Sequence, residues 1–251
     1  MLPIRDLNPS RTTPIITWLI VGITALIFFT VQGGAGDPLA LEEHLYEAAS
    51  IPCEVTTREP LSLIEINGGS CEKGDPPLFS GKSIWFSVLA SIFFHGGIGH
   101  LISNLWVLII FGNNVEDAFG HTPYLIFYLM AGLAASAAHI VIRPESTLPV
   151  VGASGAIAGV MGAYAVLFPG ARVTSIVPPF FFWPFAIPAL LFLGIWFVSQ
   201  FLLAGAESNI AWEAHVAGFA FGLIVAMVGR RWLMRHSTAV EHHYPVGRIY
   251  R

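Results

Sequence analysis

Ser154 lies in the run PVVGASGAIAGVMGAYAV, and His215 lies in AWEAHVAGFAFGLIVAMV. Each stands near the start of an apolar segment rich in glycine and alanine. A serine and a histidine that meet are the minimal parts of an activated nucleophile and its base. Meeting inside a membrane, they would cut peptide bonds within the bilayer. A second pair, His100 and Asn104, is spaced i, i+4 and so shares one helical face. Both can donate to a developing oxyanion, and losing one such donor typically costs about 3 kcal/mol of transition-state stabilisation.

The spacing around these residues favours chemistry over packing. Ser154, Ala158 and Gly162 recur every four residues, and His215, Gly218 and Gly222 fall at i, i+3 and i+7. Both are small-residue stripes of the kind that let helix backbones approach closely in lipid. Close approach lets a short serine side chain reach an imidazole directly. An isolated serine among glycines reads as a packing residue; a histidine on a matching stripe changes that reading. Histidine is costly to bury in a span. Proton acceptance needs the neutral imidazole, which an apolar setting favours. No intramembrane aspartate is present to orient it. Glu213, two residues away, points elsewhere on a helix, so a dyad is expected rather than a triad.

The elements that must position these residues follow from composition. The chain has 251 residues, 55% apolar and 11% charged, where a soluble domain carries roughly 25% charged residues. That is an integral membrane protein, and nothing suggests a nucleic-acid partner. Six spans fit: 14–32, 98–116, 122–142, 152–169, 181–203 and 212–229. The expectation is an all-α membrane protein, a six-helix bundle over 14–229. A segment 1–13 precedes it, an outer loop 33–97 joins spans one and two, and a basic tail 230–251 follows. The first apolar run follows Arg5 and Arg11 and has no A-x-A site after it, so it reads as an uncleaved span rather than a signal peptide. Pro184 and Pro188 are expected to weaken the early turns of the fifth span.

Arginine and lysine set the orientation. With six alternating spans, Arg5, Arg11, Arg172, Arg230, Arg231 and Arg235 fall on one side, and Arg58, Lys73, Lys82 and Arg143 on the other. Both termini are therefore expected in the cytoplasm. The outer loop is acidic, with nine of the sixteen acids between Asp37 and Asp75. It also holds the two cysteines, Cys53 and Cys71, which are either free thiols or a disulfide favoured by an oxidising outer side. Spans two, four and six then run in one direction, with their polar residues at similar depth.

Other intramembrane chemistries fit poorly. Gly34-Ala35-Gly36-Asp37 spells the G-x-G-D of aspartyl intramembrane proteases, but it lies in a polar loop with no Tyr-Asp in any other span. No H-E-x-x-H zinc site exists, and His95 and His100 have no nearby third ligand. No metal or cofactor is expected. His95 reads as a loop hydrogen-bonder and His139 as a packing histidine. The G-x-S-x-G elbow of soluble hydrolases is absent because Ala156 stands two after Ser154.

The segments HGGIGHLISNLWVLIIFGNNVEDAFG, GASGAIAGVMGAY and AHVAGFAFG together resemble the rhomboid intramembrane serine proteases. The N-terminal run PIRDLNPSRTTPIITWLI is similar to prokaryotic members. The resemblance implies a six-span rhomboid bundle in which Ser154 attacks and forms an acyl-enzyme while His215 serves as base and then acid. His100, Asn104 and the Ser154 N–H would hold the oxyanion, and Gly152 would allow close approach to that site. Glu116 matches a structural glutamate at the inner end of the second span. The implied substrates are single-span membrane proteins within the lipid, cut near the outer face after a small residue. The compact six-span form favours a prokaryotic plasma membrane. The alternative is a catalytically silent relative that binds transmembrane helices as a scaffold; such proteins lose the serine or the histidine.

Two positions depart from the family pattern. Members often carry Trp-Arg before the first histidine of the H-x4-H-x3-N run, where this chain reads Ile84-Trp85-Phe86-Ser87. Some place an aromatic ring on the histidine from four residues after the serine. That position is Ala158 here, so something else must hold His215.

Overall fold

The computed structural model describes residues 1–34, 36–72, 75–177, 180–203 and 210–236. Residues 237–251 of the basic tail, with Lys73, lie outside them. The chain opens with strand β1 (Leu2–Asp6) and helix α1 (Ile15–Thr30), followed by four short helices: α2 (Pro38–Ala48), α3 (Pro52–Thr57), α4 (Leu63–Gly68) and α5 (Ile84–Ala90). Helices α6 (Ile98–Phe119), α7 (His121–Ile142) and α8 (Ser154–Leu167) come next. Strands β2 (Arg172–Val177) and β3 (Phe180–Pro188) lead to α9 (Ala189–Leu203) and α10 (Trp212–His236).

By length and composition α6, α7 and α10 can each cross a membrane, while α1, α8 and α9 are shorter apolar helices. The protein is a mostly helical, multi-pass membrane protein. Helix α8 is only 14 residues, about 21 Å at 1.5 Å per residue. Every residue from Gly155 to Ala165 in it is buried. A helix sheathed by neighbours has no lipid-facing surface to match to the bilayer, so it can be short.

Glycine governs how α8 is sheathed. A Cβ on Gly218 of α10 would strike the Gly155 carbonyl, and one on Gly222 would strike the Gly159 carbonyl. Because both contacts advance in the same direction, α8 and α10 run parallel. A Cβ on Gly159 would come within 2.6 Å of Ala131 Cβ on α7, and one on Gly155 would also strike Ala135. Here the α7 numbers fall as the α8 numbers rise, so α7 runs antiparallel. The α10 stripe is the expected one. On α8 the close approach is carried by Gly155, Gly159 and Gly162, not by the Ser154–Ala158–Gly162 face. This leaves Ser154 at the margin of the crossing.

An antiparallel sheet, β1-β2-β3, corrects the all-α expectation. Strand β1 pairs Leu2 with Ile176 and Asp6 with Val173, and β2 pairs Arg172 with Pro188 and Thr174 with Ala186. The fifth helix therefore begins at Ala189 rather than at 181. Aromatic and branched residues in FFFWPFAIP suit a strand. Pro184 would remove a donor from a helix interior, yet it is tolerated on an edge strand such as β3.

A polar network ties the N-terminal segment to the far end of α6. Glu116, 1% exposed, accepts from Ile16 N at 2.8 Å, Thr17 N at 2.8 Å and Thr17 Oγ1 at 2.7 Å. A carboxylate at the start of α1 satisfies donors that the helix cannot pair itself. Asp117 accepts from Thr12 N and Oγ1. Asp6 accepts from Tyr164 Oη at 2.7 Å and Asn114 Nδ2 at 2.6 Å.

Burial pushes the Asp6 carboxyl up from 3.8 to about 6, against the hydrogen bonds from Tyr164, Asn8 and Leu7. A raised acid favours folding when protonated. Its contribution is complete below the unfolded value and lost as pH rises through about 6. Asp6→Asn, neutral throughout, is therefore expected to flatten the melting temperature of the protein between about pH 4 and 6. An unchanged slope would remove Asp6 as the source.

Candidate active site

The N-terminal ends of three helices converge. Ser154 opens α8, with Ala153 as N-cap and no side chain capping the helix. Its first-turn N–H groups are thus left to whatever sits before them, a favourable place for negative charge. His215 lies in the first turn of α10 and brings Nε2 to 2.8 Å from Ser154 Oγ.

His100 and Asn104, in the first turns of α6, lie against the backbone just before the serine. A Cβ on Gly152 would sit 2.8 Å from His100 Cε1 and 3.5 Å from Asn104 Nδ2. Gly152 also has φ +122°, a conformation that side chains resist. Both reasons require glycine there. Asn104 Nδ2 is buried without a hydrogen-bond partner, an unmet donor of the kind that calls for a functional explanation. Between Ser154, Gly152, Ser91 and Ser136 is a cavity of about 20 Å³, walled otherwise by glycines and alanines together with the branched side chains of Ile92, Val150 and Val151. It has room for about one water-sized group.

The other predicted residues lie elsewhere. Glu116 is at the opposite end of α6, and Gly218 and Gly222 make the helix crossing. Glu213 turns away from His215, pairing with Arg143 and lying 3.4 Å from His139 Nδ1. His139 thus faces a carboxylate rather than simply packing. His95 is fully buried, and its backbone is held by Gln32 in both directions. Among the described residues no group of three His, Cys, Asp or Glu is arranged to hold a metal.

Two neighbours of His215 were not read from the sequence. Gln200 Oε1 lies 2.8 Å from His215 Nδ1, and the Trp196 ring lies 5.9 Å from the imidazole, tilted by 38°. Both come from α9, one turn apart on a single face. The available signal was a glutamine within LLFLGIWFVSQFLL, since a buried amide in a span is rarely idle.

The loop before Ser154 is pinned by the segment between α1 and α6. Val150 N donates to Ser50 O at 2.8 Å, Gly152 N to Ser91 O at 2.9 Å, and Cys53 N to Ser146 O at 3.0 Å. Cys53 and Cys71 form a disulfide. Beside it Lys82 Nζ meets Glu54 at 2.6 Å, both side chains nearly inaccessible. Burial pushes the lysine down and the glutamate up, and each opposes the other's shift. The disulfide closes a loop with a separation of 18 residues, for which the chain-entropy estimate is about 3 kcal/mol. Reduction, or Cys71→Ala, is expected to lower the melting temperature and loosen the Ser146–Gly152 loop, read as faster hydrogen exchange at Val150 and Gly152. Unchanged exchange there would separate the disulfide from the site.

A rhomboid-domain family profile matches residues 82–232. The chain is 39% identical to Rhomboid protease GluP of Bacillus subtilis (strain 168) over 108 residues, covering 40% of this chain and 21% of that one. It is 32% identical to RHOMBOID-like protein 12, mitochondrial, of Arabidopsis thaliana over 156 residues, covering 55% and 44%. With Rhomboid protein 1, mitochondrial, of Saccharomyces cerevisiae it shares 27% over 149 residues, covering 55% and 40%. The chain thus spans less than half the length of each of these relatives.

Proposed function

We propose that this chain, which belongs to the rhomboid family, is an intramembrane serine endopeptidase working by a Ser154–His215 dyad. The observation that carries the reading is the 2.8 Å approach of His215 Nε2 to Ser154 Oγ. Ser154 Oγ attacks the substrate carbonyl as His215 Nε2 takes its proton. The tetrahedral oxyanion is held by the Ser154 N–H, Asn104 Nδ2 and His100. Collapse breaks the C–N bond, and His215 gives the proton to the leaving amine. Water, deprotonated by the same nitrogen, then releases the acyl group and regenerates Ser154. The unmet Asn104 donor and the uncapped start of α8 support the oxyanion assignment.

Six spans, α1 and α6 to α10, with both termini in the cytoplasm of a prokaryotic plasma membrane, put the dyad toward the outer leaflet. The substrates are single-span membrane proteins, entering from the lipid and cut near their outer ends. The small volume of the cavity beside Ser154, about 20 Å³, favours a small side chain before the scissile bond. A helix-binding scaffold would have no use for a serine hydroxyl aligned on an imidazole. The test is a fluorophosphonate probe on the purified protein, with mass mapping of the adduct, beside cleavage of a single-span substrate in liposomes. An adduct on Ser154 is expected; labelling elsewhere, or none, would sink the assignment.

A further inference from the structure

We infer that Gln200 is a positioning residue that fixes the tautomer and the aim of His215, a role that rests on the dyad reading above. The side chain is 4% exposed, and both ends of its amide are committed. Nε2 donates to Trp196 O at 3.0 Å on its own helix and to Ser199 Oγ at 3.3 Å. That leaves Oε1 facing His215 Nδ1 at 2.8 Å. Oε1 can only accept, so Nδ1 carries the proton. In a neutral imidazole with Nδ1–H, Nε2 bears the lone pair, and Nε2 is the atom next to Ser154 Oγ. The tautomer needed for general-base action is therefore set by a helix that contributes no reacting atom.

Gln200 and Trp196 share a face of α9, and together they restrain the ring, Gln200 at its far nitrogen and Trp196 through a tilted ring contact. This arrangement takes the place of the aromatic absent at Ala158, which is itself fully buried in the helix packing. A neutral amide orients the imidazole without adding a charge to it. The expected loss on removing it is accordingly only part of the roughly hundred- to ten-thousand-fold that general acid–base catalysis supplies.

The experiment uses the full chain in nanodiscs, labelled with ¹⁵N at histidine, with His215→Ala identifying the ring signals. Wild type is expected to show His215 protonated at Nδ1 and bare at Nε2. Gln200→Leu, similar in volume and unable to accept, should mix the two tautomers, and Gln200→Glu, which retains an acceptor, should restore the single one. In liposomes Gln200→Leu should lower kcat about 10- to 100-fold. KM should stay within about twofold, and Gln200→Glu should recover most of the loss. Melting temperatures check that each variant folds. A wild-type ring protonated at Nε2, or a Gln200→Leu protein with unchanged tautomer and kcat, overturns the inference. Equal loss in Leu and Glu variants of wild-type stability also overturns it, because packing alone would then be at work. Failure of the protease reading looks different: an inactive, unlabelled wild type whose Nδ1–H tautomer is intact.

Discussion

Ser154→Ala is expected to abolish both cleavage and fluorophosphonate labelling while leaving the melting temperature almost unchanged. The turnover loss should be at least about ten-thousand-fold, the scale seen when a nucleophile or its base is removed from a hydrolase. His215→Ala should lose a similar amount. The double variant should be no worse than either single one, because the two side chains act as one unit and their losses do not add. The small cost in stability follows from the site. Ser154 lies at the margin of the α8–α10 crossing, and the change to alanine removes a single hydroxyl. The hydrogen bond it loses is worth about 1 kcal/mol net. A Ser154→Ala protein that still labels would show that another group is the nucleophile. One that melts far lower would show that the hydroxyl holds the fold.

Gly222→Val should do the reverse, damaging the fold first and the chemistry as a consequence. Any Cβ at position 222 lands on the Gly159 carbonyl, a helix-backbone group, and the Cβ's own position is fixed by the α10 backbone. No rotamer can relieve such a clash, so α10 must move away from α8. Overpacking of a close-packed core typically costs 1–3 kcal/mol, occasionally more, and a backbone contact should reach at least about 3 kcal/mol. Because Ser154 and His215 sit on these two helices, separation also lengthens the Oγ–Nε2 contact. Labelling is expected to fall with the melting temperature. Gly194→Ala supplies the control: nothing lies within 4 Å of a Cβ there. A helical alanine in place of glycine is neutral or stabilising by up to about 1 kcal/mol. If Gly222→Val labels and melts like wild type, the crossing does not hold the dyad together.

The amino-acid sequence by itself determined the membrane class, the identity of the polar residues and the helices that carry them. Each of these is local. Ser154 and His215 stand out because a polar side chain in an apolar run is costly, and Gly218 and Gly222 because a helical repeat puts them on one face with His215. Tertiary structure decided what those faces meet. It set α10 against Gly155, Gly159 and Gly162 rather than the Ser154 face, since the rotation of a helix about its axis depends on both neighbours at once. It turned 180–188 into a strand, because β2 and β1 were available to pair with a segment whose prolines weaken a helix. It also joined Cys53 to Cys71 and brought Gln200 to His215 from a separate helix. A hydrogen-bond partner chosen through space leaves no period in the chain, only an unexplained glutamine.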